Sequence, residues 1–140
     1  MTSRRGPAAS RGVRSVGTFR VSVEVAPIGD RGRRVAVRSV LADTGSELTW
    51  LPAAILRGIG VSVEKPGVAF VTADGREIRR DVGYVFLRCG PFETIDEVVL
   101  GEEGDLPLLG ARTLEGFGAL VDPARKRLVS AGPYPAAACF

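Results

Sequence analysis

Short apolar runs separated by turn residues dominate the chain from Phe19 onward. Between Phe19 and Val25 apolar residues alternate with polar ones, a period of two that is typical of a half-buried strand. The same reasoning predicts strands at 19–25, 35–42, 48–51, 61–64, 68–72, 78–87, 92–100, 119–122 and 127–129. The only helical segments predicted are short, at 53–57 and 111–116. This spacing favours an all-β fold, a small closed barrel or a sandwich, over alternating strands and helices.

The composition fits one globular domain and removes several kinds of active site. The 140 residues are 45% hydrophobic and 25% charged, which are ordinary values for a folded domain. The sequence has no histidine, so Ser-His-Asp and Cys-His triads and histidine-ligated zinc or haem are excluded. Cys89 and Cys139 are too few for an all-cysteine zinc site. We therefore expect no metal and no other cofactor, and carboxylates to carry the proton chemistry of any enzyme.

Positive charge is concentrated at the start of the chain. Residues 1–34 contain eight arginines against Glu24 and Asp30, whereas the remainder has an excess of acids. Residues 1–17 contain no continuous apolar run, so they match neither a secretory signal nor a membrane span. We predict a flexible Arg-rich arm over 1–17, a folded domain over 18–130 and a tail over 131–140. We also expect a cytoplasmic location, no membrane contact, and no nucleic-acid partner, because no aromatic residue lies among the first arginines.

One acidic loop lies between two predicted strands. A run of apolar residues ends directly at Asp43-Thr44-Gly45-Ser46, and apolar residues follow again from Leu48. A carboxylate between buried strands is costly to desolvate unless donors hydrogen-bond to it, and Gly45 leaves room for backbone N–H groups. We therefore expect Asp43 to be buried and hydrogen-bonded, with Ser46 donating to its outer oxygen. Simple turn stabilisation is the alternative role for Thr44 and Ser46.

Three features then occur in the order that one protein family uses. They are the Asp-Thr-Gly-Ser loop at 43–46, the Leu-Leu-Gly-Ala segment at 108–111 with its short helix, and the Leu-Val-Asp-Pro strand and turn at 120–123. In this order they resemble the aspartic protease superfamily, and most closely its single-domain, retropepsin-like members, over residues 18–129. The resemblance implies a small closed β-barrel of the retropepsin-like acid protease type, with one or two short helices.

The resemblance implies an aspartic endopeptidase acting on an extended peptide or protein substrate. In this family two carboxylates share one proton around a water, because like charges that close cannot both ionise. The chain has no second Asp-Thr-Gly or Asp-Ser-Gly loop. The resemblance therefore implies a symmetric homodimer in which each protomer contributes Asp43, with the Thr44 hydroxyls tying the two loops together.

The resemblance also assigns supporting parts. Leu109 and Gly110 would pack behind the Asp43 loop, with glycine at 110 because the backbone comes close there. Asp74-Gly75 is the strongest two-residue hairpin signal in the sequence, and it stands where the family has its substrate-covering flap. The flap residues would be Thr72, Ala73, Asp74, Gly75, Arg76 and Glu77. A plain strand-to-helix turn and an exposed hairpin without a role are the alternatives.

Further expectations concern the core and the dimer interface. Trp50 and Leu51 are expected to fill the core rather than a cleft. Retroviral enzymes carry arginine directly after the Gly110 position, whereas Ala111 stands there in this chain; Arg112 follows it, and a pair between Arg112 and Glu47 is one possibility. Prolines in the predicted tail suit a central sheet poorly, so the way in which the dimer closes is open.

The alternative function is a catalytically silent, protease-like module that binds peptides or mediates dimerisation. We favour the enzyme because a binding module has no physical need of a costly buried pair of carboxylates.

Overall fold

The computed structural model describes residues 19–135, so the predicted arm and the last five residues of the predicted tail lie outside the described part. The strands are β1 (Phe19–Pro27), β2 (Val35–Ala42), β3 (Thr49–Pro52), β4 (Lys65–Val71), β5 (Glu77–Cys89), β6 (Phe92–Gly101), β7 (Leu108–Leu109), β8 (Ala119–Asp122) and β9 (Arg127–Ser130). The two α-helices of this part are α1 (Ala53–Gly58) and α2 (Ala111–Phe117). No helix within residues 19–135 is long and apolar enough to cross a membrane.

Seven of the strands form one sheet that returns to its starting point. The order is β1-β2-β7-β3-β6-β5-β4, and β1 also pairs with β5. Six strands therefore form a ring, and β4 extends it as the partner of β5. The predicted all-β class is confirmed. The predicted closed barrel takes the form of a ring-like sheet rather than a strict barrel, because β7 contributes two residues to β2 and one residue pair to β3.

The core is a single apolar cluster that joins this sheet to both helices. Val23 and Val25 on β1 are fully buried while Glu24 between them is not, which is the alternation that the sequence predicts. Leu114 and Phe117 bring α2 onto the same cluster. Each fully buried valine or leucine contributes about 1.5–3 kcal/mol relative to an exposed one. This burial holds the loops at the ends of the strands in fixed positions.

The hairpin of β8 and β9 forms a separate two-stranded sheet. Ala119 pairs with Ser130 and Asp122 with Arg127 across a short turn. A two-stranded ribbon is marginally stable by itself; this one follows α2 directly, and Ala119 belongs to the core. Leu120, in the same hairpin, leaves 57% of its surface exposed.

Two local predictions are wrong. Residues 61–64 do not form a strand, because the Val61 N–H donates to Leu56 O at 3.0 Å and pairing with β5 starts only where the Glu64 N–H reaches Val82 O. The turn between β4 and β5 is longer than two residues. Thr72 N–H donates to Arg76 O, and the Thr72 hydroxyl receives the Arg76 N–H, which leaves a three-residue loop with Gly75 in the left-handed region at φ +87°.

Candidate active site

The Asp43 loop begins where β2 ends and is held by the segment at 108–111. Ala42 lies beside Leu109 in the parallel pairing of β2 with β7, and the Asp43 N–H donates to Leu109 O at 3.0 Å. At the other side of the loop, the Ala111 N–H donates to Ser46 O at 2.8 Å. The two segments that the sequence analysis singled out are therefore joined by backbone hydrogen bonds.

The carboxylate of Asp43 is half-buried and accepts one hydrogen bond from within residues 19–135. The donor is the Gly45 N–H, 2.9 Å from Oδ1. A Cβ at position 45 would lie 3.1 Å from the same oxygen, so a larger residue would crowd the carboxylate. Full burial of Asp43 is therefore wrong for a single chain.

The predicted hydrogen bond from Ser46 to Asp43 is also wrong. Ser46 Oγ donates to Leu48 O at 3.0 Å, because the turn that bonds the Ser46 N–H to Asp43 O directs the side chain toward the following strand. Ser46 therefore has the turn-stabilising role that was the alternative.

Gly110 lies where two segments of backbone nearly touch. A Cβ at this position would be 2.5 Å from the carbonyl oxygen of Leu48 and 2.8 Å from that of Glu47. Leu109 beside it is fully buried. The Gly110 N–H donates to the Thr49 hydroxyl at 2.9 Å. Only glycine allows β7 to approach the Asp43 loop this closely.

Thr44 is exposed at the tip of the loop and lines a small apolar depression. The depression has a volume of about 230 Å³, and its other walls include Leu114 of α2 and Leu120 and Val121 of β8. The acidic loop and the separate hairpin β8–β9 therefore meet at one surface.

The residues predicted as a flap form the turn between β4 and β5. Asp74 accepts a hydrogen bond from the Thr72 hydroxyl and another from Arg76 Nε at 3.2 Å. The Thr72 hydrogen bond, and next the Arg76 one, hold the pKa of Asp74 below its usual value. Ala73 and Gly75 complete the loop, and Glu77 begins β5 and pairs with Arg79. Hydrogen bonds among its own side chains therefore hold the turn in place.

A larger cavity of about 560 Å³ opens between β3, the start of α1 and the loop from β6 to β7. Trp50 lines it and makes an edge contact with Phe70 on β4, with ring centroids 5.1 Å apart. Leu51 is 1% exposed and belongs to the core as predicted, whereas the core position predicted for Trp50 is wrong. The alternation of β3 explains this difference, since Thr49 and Leu51 point inward and Trp50 must point the other way.

Arg112 does not pair with the Glu47 side chain. Its guanidinium lies 2.8 Å from Glu97 Oε1, and Lys65 Nζ lies 2.8 Å from Oε2 of the same carboxylate. The Lys65 hydrogen bond is the main reason that the pKa of Glu97 lies below its usual value, although burial opposes it. This pair of contacts joins β4, β6 and α2.

The sequence did not lead us to expect Trp50 in a cavity, a contact of Trp50 with Phe70, or a role for the acidic loop that follows β6. The period of two in β3 was a usable signal that Trp50 faces away from the core. No local pattern indicated the contact between Phe70 and Trp50, because this contact depends on how the β4–β5 hairpin folds over β3. Within residues 19–135 there is also no group of three His, Cys, Asp or Glu side chains placed to hold a metal.

No protein-family model matches the sequence, and no curated protein matches it. Solved structures do match its fold. The retroviral protease-like domain of Ddi1 from Leishmania major is 14% identical with a TM-score of 0.52, covering 79% of this chain and 87% of that domain. The simian foamy virus (mac) protease is 21% identical with a TM-score of 0.44, covering 69% and 92%. The EIAV protease, solved with the inhibitor HBY-793, is 16% identical with a TM-score of 0.49, covering 79% and 95%. The likeness to the Ddi1 domain shows that the fold is retropepsin-like.

Proposed function

We propose that this chain is an aspartic endopeptidase that works as a homodimer, with Asp43 of each protomer as the catalytic residue. The observation that carries the proposal is the state of the Asp43 carboxylate on a retropepsin-like fold. One oxygen is oriented by the Gly45 N–H at 2.9 Å, and no other hydrogen bond from residues 19–135 occupies the group. A carboxylate held but not neutralised is suited to bind a water or a second carboxylate.

Two such carboxylates can hydrolyse a peptide bond. When they share one proton, the ionised Asp43 removes a proton from a bound water, whose oxygen attacks the scissile carbonyl carbon. The protonated Asp43 of the other protomer donates its proton to the carbonyl oxygen, and the tetrahedral intermediate then breaks down with proton transfer to the leaving amine. Because one of the two Asp43 carboxyl groups must be protonated and the other ionised, activity should follow a bell-shaped pH profile. Its two apparent pKa values belong to the pair of carboxyl groups rather than to either one.

The surface around Thr44 supports the dimer. Thr44 is exposed beside an apolar depression, and Leu120 stands out from the adjoining hairpin β8–β9. A two-stranded ribbon has unpaired backbone groups along its edges, which a second copy can pair. An isologous contact at this surface would bring the two Asp43 loops together across a two-fold axis.

The turn at 72–77 would act as the flap. It is the end of the β4–β5 hairpin, and Phe70 at its base contacts Trp50 in the wall of the larger cavity. An extended peptide lying in this cavity would be covered by the hairpin and could bond to its backbone.

The substitution Asp43→Asn tests the proposal. It removes the ionisable group with little change of shape, so peptide hydrolysis should disappear while folding and dimerisation remain. Asp30→Asn makes the same chemical change at an exposed position remote from the loop and should keep wild-type activity. Wild-type turnover in Asp43→Asn would contradict the proposal. A wild-type chain that binds peptides and cleaves none would instead support the silent module.

A further inference from the structure

The larger cavity combines apolar walls with an acidic rim. Trp50, Leu106 and Pro107 form apolar parts of its lining, and the loop Gly101–Asp105 forms one side of the rim. Leu106 leaves 44% of its surface exposed, although it is a large apolar side chain. Apolar surface of this kind, open to solvent in a concave site, is typical of a place where a ligand side chain packs.

The walls of the cavity are joined to the strands that support the Asp43 loop. Pro107 in its wall accepts a hydrogen bond from the Leu41 N–H, two residues before Asp43. Trp50 is paired with Leu108 on β7, the strand that supports the loop. Trp50 also contacts Phe70 on the strand that leads to the flap. An occupant of the cavity therefore contacts residues that are hydrogen-bonded to β2, which leads to Asp43, and that pack on Phe70 of the β4–β5 hairpin.

The charges of the rim are unbalanced. Asp105 is neutralised by Arg80, with Nε 2.7 Å from Oδ2, and it also accepts the Glu102 N–H at 2.7 Å. These contacts hold the loop in place. The guanidinium of Arg80 is directed at Asp105, and its distance to the carboxylate of Glu102 is longer, at 3.7 Å. Glu103 has no ion-pair partner within residues 19–135. The rim of the cavity that Trp50 lines therefore keeps a net negative charge.

We propose that this cavity selects a basic side chain, arginine or lysine, in the peptide substrate. The methylene stem of such a side chain would pack on Leu106 and Pro107. Its cationic head would lie against the Trp50 ring and the carboxylates of Glu102 and Glu103. The inference rests on the proposed peptidase function and adds the substrate class to it.

The test compares arginine with citrulline, which has nearly the same shape and no charge. Two pools of extended peptides carry either residue at each position in turn. Binding is measured with the Asp43→Asn protein through the fluorescence of Trp50, the only tryptophan in the sequence, and cleavage with the wild type by mass spectrometry of the products. We expect a preference for arginine of roughly five- to tenfold in both measurements, from cation–π and exposed charge pairing together.

The rim is tested by substitution. Glu102→Gln combined with Glu103→Gln should reduce the arginine preference to roughly two- to threefold, the part that the cation–π contact with Trp50 contributes. Glu64→Gln removes the same charge from an exposed residue that lines a different depression, and it should keep the full preference. The thermal midpoint of each variant establishes that it is folded.

The outcomes separate the inference from the function on which it rests. Equal cleavage of both pools by the wild type would overturn the inference and leave the peptidase intact. Arginine-selective binding without any cleavage would support the cavity assignment and overturn the peptidase. Binding and cleavage of neither pool would overturn both.

Discussion

The hydroxyl oxygens of Thr49 and Thr113 lie 2.6 Å apart in the interior of the protein, although 64 positions separate them in the chain. Thr113 donates to Asp96 Oδ2 at 2.8 Å, and Thr49 accepts from the Gly110 N–H. Each hydroxyl has one hydrogen, so the bonds run from Gly110 to Thr49, to Thr113 and to Asp96. This row of buried bonds fixes the backbone that supports the Asp43 loop.

Replacing Thr113 with valine should break this row. Asp96 Oδ2 would lose its donor, although Oδ1 keeps the Glu97 N–H, and the buried Thr49 hydroxyl would lose its acceptor, so we expect the free energy of unfolding to fall by about 1–3 kcal/mol. Denaturant unfolding measures the loss. Thr113→Ser keeps the hydroxyl and should cost clearly less. A loss for serine as large as that for valine would contradict the assignment, because serine removes only the methyl group.

Gly110→Ala should disturb the Asp43 loop directly. The new Cβ would lie 2.5 Å from Leu48 O, so the backbone must move, at a cost of about 1–3 kcal/mol in unfolding free energy. Peptide hydrolysis should fall as well, since the displaced segment holds Asp43. Gly58→Ala is the matched control, because a Cβ there has no neighbour within 4 Å. An active, fully stable Gly110→Ala protein would show that the close approach is unimportant.

The contacts of Glu97 with Lys65 and Arg112 predict a pH dependence of stability. The pKa of Glu97 is lowered from 4.5 in the folded protein, chiefly by the Lys65 hydrogen bond. A group whose folded pKa is lowered contributes stability above its unfolded pKa and loses it as the pH falls through the folded value. The wild type should therefore lose free energy of unfolding on acidification below about pH 4.5.

Glu97→Gln should lack this acid-dependent component, as measured by denaturant unfolding over a series of acidic buffers. Glu93→Gln alters an exposed carboxylate 3.9 Å from Arg88 and should keep the wild-type dependence, since exposed pairs contribute little. The same acid profile in the wild type and Glu97→Gln would contradict the assignment.

Much of the fold could be predicted from local pattern alone. The alternation in β1 and the apolar runs of β5 and β6 each have a cause within a few residues of sequence. Other features depend on contacts distant in the chain. The segment at 61–64 begins with a bond from Val61 to α1 and reaches β5 only at Glu64. Trp50 lines a cavity because the loop after β6 folds beside β3. The hydroxyl pair of Thr49 and Thr113 has no local signature at all.

Leu120→Glu should weaken the dimer. It places a charge on an apolar side chain that is 57% exposed beside Thr44 in the proposed interface, where pairing would bury it without a counter-charge. Sedimentation should show more monomer, and specific activity should fall at low concentration. Ile95→Glu changes another exposed apolar side chain, on β6, and should change neither the fraction of monomer nor the specific activity. A fully dimeric Leu120→Glu protein would place the interface elsewhere.

The central claim is that each active site needs Asp43 from two chains, and mixing wild type with the Asp43→Asn protein tests it most directly. At equal amounts and with subunit exchange demonstrated by a labelled chain, random pairing leaves about a quarter of the dimers with two carboxylates. Specific activity per total protein should therefore fall to about a quarter of the unmixed wild-type value, because heterodimers hold one carboxylate and one amide and cannot share a proton. Activity that stays in simple proportion to the wild-type fraction, at about one half, would contradict the shared site and would mean that a single chain carries out the reaction.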